Sequence, residues 1–121
     1  MPTILDETAI LRYVLKDHTR QAQQVADVIA TGDAYVYPET VTRAAVVLRD
    51  LYHVPRSMIA RVLDWMFDEV NAAEKNEIRL ALRYFGSSAT DFTDCMALAR
   101  NTLLGYSVLS FDKSLMKRAL P

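Results

Sequence analysis

Two short apolar runs that each stop at an aspartate bracket this chain, and they leave few ways to fold it. Thr3-Ile4-Leu5 runs into Asp6 near one end, and Tyr106-Ser107-Val108-Leu109-Ser110-Phe111 runs into Asp112 near the other. Both are too brief for helices. Runs this short and apolar fit strands buried on both faces of a parallel sheet. The aspartates would then stand at the carboxyl edge, which is where open α/β sheets bind ligands.

Between these runs the apolar residues recur at helical spacing. Ile10, Leu11, Val14 and Leu15 predict a helix directly after Asp6, with Arg12 and Lys16 one turn apart on its other side. Asp17 to Thr19 interrupt it, and a second helix runs to about Ile29, closed by Thr31-Gly32-Asp33, where glycine suits a left-handed cap. Ala34-Tyr35-Val36-Tyr37 reads as the next strand, ended by Pro38, which cannot continue a ladder but suits the first turn of a helix. Val41, Ala44, Ala45, Leu48 and Leu51 form that helix's inner face, while Val46 and Val47 on its far side suggest a subunit contact.

After Val54-Pro55 comes a helix with Met58, Ile59, Val62, Leu63 and Met66 inward, then a short strand around Glu69-Val70-Asn71. Ile78, Leu82 and Phe85 mark a further helix, and Thr90 or Asp91 starts another that Gly105 stops. A final helical piece begins at Lys113. Strands alternating with helices and helical pairs imply crossover connections. The expected fold is therefore α/β, a parallel central sheet of about four or five strands between two helical layers.

At 121 residues, 51% of them hydrophobic, residues 1–121 predict a single domain with a sizeable core. Fourteen basic against fifteen acidic side chains leave a net charge of -1, so no global basic field attracts nucleic acid. A polyanion would have to be met by a local patch or through a cation held by acids. The single cysteine, Cys95, excludes an internal disulfide and suits a reducing compartment. With no apolar run of membrane-spanning length, a cytoplasmic protein without a membrane partner is expected.

Asp6, Asp94 and Asp112 each fall at a strand end or helix start. Singly, each is explained as a helix cap, and Asp91 with Asp94 has capping-box spacing. Jointly, a crossover fold would bring them to one rim, where like charges repel unless a hard cation neutralises them. His18 and His53 lie beside charged or turn residues and read as surface groups, and Cys95 reads as a buried thiol.

These residues also carry a resemblance. Ile4-Leu5-Asp6 with Thr8 and Leu11-Arg12-Tyr13, then Val54-Pro55-Arg56, Asp91-Phe92-Thr93-Asp94 and Leu109-Ser110-Phe111-Asp112-Lys113, resemble in order the motifs of PIN domains, the metal-dependent ribonucleases that include VapC-type toxins. The resemblance covers nearly the whole chain. It implies a PIN-like fold, Asp6, Asp94 and Asp112 as catalytic ligands of Mg2+ or Mn2+, and Thr8 and Ser110 as polar companions, with Asp91 as an outer acid. It further implies an RNA substrate, a homodimer and a small antitoxin protein as partner. Arg12, Lys16, Lys113, Lys117 and Arg118 would rim the cleft and grip phosphates, unless they form a solvated face.

One position departs from the family's pattern. Its second acid, early in the helix after the second strand, falls at Arg43. A guanidinium about 5 Å from a divalent cation would be repelled by roughly 6 kcal/mol at an effective dielectric near 20. Arg43 could instead pair with Glu39 in the favourable helical order, pair with Asp6 or Asp94, or hold a phosphate. Glu39 could also substitute for the lost acid. The neighbouring Glu7 reads as solvated. The alternative function is thus a catalytically impaired PIN-like module that binds RNA or protein.

Overall fold

A computed structural model describes residues Met1 to Pro121. The order is β1 (Thr3–Ile4), α1 (Glu7–Leu15), α2 (Thr19–Ala30), β2 (Ala34–Tyr35), α3 (Pro38–Asp50), α4 (Arg56–Met66), α5 (Lys75–Ser87), α6 (Phe92–Leu104) and α7 (Lys113–Arg118). The expected three-layer sheet of four or five strands is not formed. The protein is mostly helical, with seven helices and one two-stranded parallel sheet in which Thr3 pairs with Ala34 and Ile4 with Tyr35.

The strands are short for a local reason. Pro2 precedes β1, and the Asp6 cap starts α1 immediately after Leu5. β2 is confined between the Gly32 turn and Pro38, which occupies the first turn of α3. The strand expected around Asn71 is reduced to a single parallel bridge with Tyr35. Its backbone exchanges bonds with Val36 N–H and Ala34 C=O, and its side-chain amide donates to Gly32 and Ala34 carbonyls. The strand expected before Asp112 is absent. Leu109 is 86% and Phe111 96% exposed, so the apolar alternation of that segment does not correspond to burial.

Helix packing takes over the work assigned to the sheet. α1 packs on α2 and α3, α5 lies between α4 and α6, and α3 joins the two groups by touching α4 and α6. A single cluster of 24 buried residues results, in which Phe67, Phe85, Phe92, Ile10, Leu48 and Leu63 are among the largest fully buried side chains. At about 25 cal/mol per Å² of apolar surface, each such side chain stabilises the fold by about 1.5–3 kcal/mol. Val47 packs on this core and Val46 is half-buried, so neither is the free outer surface that the helical wheel suggests.

Candidate functional site

Asp94 and Asp112 line the same hollow. It has a volume of about 380 Å³, is lined also by Asp91, Thr90 and Ser114, and lies between the start of α6 and the start of α7. Asp112 caps α7: its Oδ1 accepts from the Ser114 amide (2.9 Å), the Ser114 hydroxyl (2.6 Å) and the Leu115 amide (3.2 Å). The Asp112 amide in turn donates to the Ser110 hydroxyl. These bonds, Ser114 first, hold the Asp112 carboxyl below the usual carboxylate range. Asp94, one turn into α6, is half-buried. Asp91 is the exposed N-cap residue of α6 but makes no capping bond, and lies 3.7 Å from the Arg49 guanidinium.

Asp6 is built the same way as Asp112 but is not among the residues lining that hollow. Its Oδ1 accepts from the Ala9 amide (2.9 Å) and the Thr8 hydroxyl (2.7 Å), so it caps α1 and is held below its ordinary pKa chiefly by the Ala9 bond. Asp6 and Asp112 thus share one device, an aspartate followed two residues later by a hydroxyl that donates back to it. In each, Oδ1 is committed to the helix start and no protein partner engages Oδ2. No group of three or more His, Cys, Asp or Glu side chains is close enough to hold one metal ion.

Arg43 settles on a partner that the helical spacing does not suggest. Its Nε donates to Glu7 Oε1 at 2.7 Å, so it pairs with neither Glu39 nor the aspartates, and Glu7 is a half-buried partner instead of a solvated group. The pair ties α3 to the start of α1. Arg43 remains 76% exposed, so solvent screens the pair and its contribution to stability is small. Arg43, Glu39 and Thr42 line a second hollow of about 480 Å³ with Tyr37, Thr93 and the Glu74–Arg100 ion pair (2.7 Å). The first turn of α6 divides the two hollows, with Thr93 facing one and Asp94 the other.

Three arginines shape the acidic hollow, Arg118 being one of the cations expected at its rim. Arg49 approaches Asp91, Arg118 donates to the Thr90 hydroxyl, and Arg56 donates to the Phe85 carbonyl (2.9 Å) and to the Thr90 carbonyl. Arg56 also lies 3.8 Å from the centroid of the Phe85 ring. Nothing in the sequence near Arg49 signals its approach to Asp91. Ser114 did carry a signal, since Asp112-Lys113-Ser114 repeats the pattern of Asp6-Glu7-Thr8. Among the expected rim cations, Arg12 is taken by Asp17 at 2.7 Å, whereas Lys16 and Lys113 are exposed. His18 caps α2, its Nδ1 accepting from the Gln21 amide, and Cys95 is buried, its thiol pushed up to about 11 by that burial.

An oxygen-only donor set suits a hard cation. Mg2+ in particular takes one or two protein carboxylates and completes its shell with water and phosphate oxygens. Asp94 and Asp112 line one hollow, each with an oxygen that no protein donor occupies, so oxygen donors for such a cation are present there. No helix is long and apolar enough to cross a membrane. No protein-family model, curated protein or solved structure matches the chain.

Proposed function

We propose that the chain is a divalent-cation-dependent ribonuclease, the activity implied by its resemblance to PIN-domain ribonucleases and VapC-type toxins. The observation that carries this reading is that Asp94 and Asp112, from separate helices, line one polar hollow rimmed by arginines. Asp94 and Asp112 hold the Mg2+ or Mn2+, and Asp91 adds negative charge beyond them. The cation, when bound, supplies a water of lowered pKa and offsets charge on the scissile phosphate. Arg49, Arg118 and Lys113 contact the RNA backbone, which supplies salt-dependent affinity without sequence choice. Asp6, with Thr8, fixes the start of α1.

A second reading is favoured by the Arg43–Glu7 pair. A cation stands where the family places an acid, and it is paired with Glu7 of α1 while remaining largely exposed. In that reading the chain binds RNA or a protein without cutting.

One experiment separates the two. Labelled single-stranded RNA is incubated with the protein in EDTA, Mg2+ or Mn2+, while binding is followed by fluorescence anisotropy. The nuclease reading expects cleavage only with the cation, abolished in Asp94→Asn and Asp112→Asn proteins whose circular dichroism shows them folded at the assay temperature. Asparagine keeps the capping capacity of Asp112. RNA binding without cleavage in either cation supports the second reading, and neither binding nor cleavage refutes both for RNA.

A further inference from the structure

Glu39 and Arg43 stand one turn apart on α3, in the order that favours an ion pair, yet they do not pair. Arg43 gives its Nε to Glu7, and its two terminal nitrogens meet no protein acceptor. Glu39 is exposed and is left without a cation or a hydrogen-bond donor. Both side chains line the hollow of about 480 Å³. Its other two charges cancel, because Arg100 donates through Nε and Nη2 to the two oxygens of Glu74, at 2.7 and 2.9 Å. A ligand therefore finds one free carboxylate and one free guanidinium edge, with the partly exposed ring of Tyr37 in the same lining.

A carboxylate only accepts hydrogen bonds, and it does so through two oxygens side by side. Among the RNA bases, guanine alone presents two neighbouring donors, its ring N–H and its exocyclic amine, on the Watson–Crick edge. Adenine and cytosine set their one amine beside a ring-nitrogen acceptor, and uracil sets its one N–H between two carbonyls. Each of those bases would put an acceptor lone pair against Glu39, which selects against it. Single-stranded RNA is read in this manner, by stacking a splayed base on an aromatic ring and bonding its Watson–Crick edge. The hollow also adjoins the acidic one. Thr93 and Asp94 are consecutive, about 3.8 Å apart at Cα, and line different hollows.

We propose, resting on the ribonuclease reading above, that this hollow is a guanine subsite beside the cleavage centre, with Glu39 as the residue that determines specificity. Glu39 accepts from the ring N–H and the amine of guanine, Tyr37 stacks on the base, and the free edge of Arg43 donates to the adjoining phosphate. The strand then crosses the first turn of α6 and brings its next phosphate to Asp94 and Asp112. The arginines of the acidic hollow supply affinity without sequence choice, and Glu39 supplies the choice.

The test is fluorescence anisotropy in EDTA, with a labelled oligouridylate and its variants carrying one central guanosine, adenosine or cytidine. The parent protein should bind the guanosine oligomer about tenfold more tightly than the other three, the discrimination expected of a bidentate side-chain contact to a base. Glu39→Gln, at an exposed position and shown folded by circular dichroism, should bring the guanosine oligomer to the level of the rest. Arg43→Gln should weaken all four alike and lower their salt dependence. Guanosine monophosphate should displace the oligomer at lower concentration than adenosine monophosphate. Equal affinity for all four oligomers, a preference that survives Glu39→Gln, or no binding overturns the inference. Incubating the same oligomers with Mg2+ or Mn2+ keeps the two proposals apart. Cleavage without a guanine preference sinks the subsite and leaves the nuclease reading standing, and guanine-selective binding without cleavage in either cation does the reverse.

Discussion

Gly86 sits in the last turn of α5 where that helix meets α4, and its missing side chain sets how closely the two approach. A Cβ placed on Gly86 would stand 2.7 Å from the Ala60 Cβ and 3.6 Å from the Arg56 carbonyl oxygen. Apolar carbons rest about 3.5–4.0 Å apart, so Gly86→Ala requires about 1 Å of helix separation or a bent last turn. Ala60 cannot rotate its methyl away, because that carbon is fixed to the α4 backbone. Overpacking of this kind costs about 1–3 kcal/mol, and alanine's better helix propensity returns at most about 1 kcal/mol. The net expectation is a loss of about 1–2 kcal/mol, or about 3–8 °C in melting temperature for a domain of this size.

Ala60→Gly alone should lose about 1 kcal/mol through propensity. In the double variant the new methyl occupies the space the old one vacated, so the two costs should couple favourably by about 1–2 kcal/mol instead of adding. Urea unfolding followed by circular dichroism, with a common slope for all four proteins, measures the cycle. A neutral or stabilising Gly86→Ala, or costs that simply add, would refute the claim that α4 and α5 meet at this pair of residues.

Arg56→Ala removes the donor to two carbonyls at the α5–α6 turn and the cation over Phe85, and should cost about 2–4 kcal/mol; Arg56→Lys, lacking the planar fork, should recover less than half. A loss under about 0.5 kcal/mol in urea unfolding would show that solvent replaces those bonds. Acid should unfold the protein through its low-pKa carboxyls, because Asp6, Asp112 and Glu74 are each held below their ordinary values, by Ala9, Ser114 and Arg100 first. As pH falls, the unfolded chain takes up those protons first, so stability is intact above about pH 5 and is lost as pH drops through the folded values. Asp6→Asn should flatten that limb, and an unchanged slope would exclude Asp6 as a contributor. The buried Cys95 thiol, raised to about 11, should resist thiol reagents at neutral pH in the folded protein and react at once in denaturant, and rapid native labelling would contradict its burial.

Helix positions were legible because periodicity and punctuation agree. Ile10, Leu11, Val25 and Ile29 are buried where the apolar stripes put them, and Gly32 and Gly105 take the positive φ their positions imply. Left-handed Lys16 carries no such mark, since lysine does not favour that conformation, whereas His53 is of a residue type enriched there. The larger sheet does not form because a short apolar run states that burial would be favourable, not that a neighbouring strand exists to bury it. Ile4 and Leu109 show the difference. Within the candidate site, Asp94 and Asp112 line one hollow, and that was visible only as two acids at helix starts. The Glu7–Arg43 pair, 36 residues apart in sequence, was not visible at all, because side-chain reach across helices depends on an angle that periodicity does not encode.

Asn101 is the sole buried polar residue, and a single amide group there closes the loop from Tyr106 to Leu120. A clasp that grips both ends of a segment opens once for both. Amide protons across α7 should therefore exchange with solvent at a common rate set by the release of Asn101, making the carboxyl-terminal stretch one cooperative unit whose detachment leaves the helical core standing.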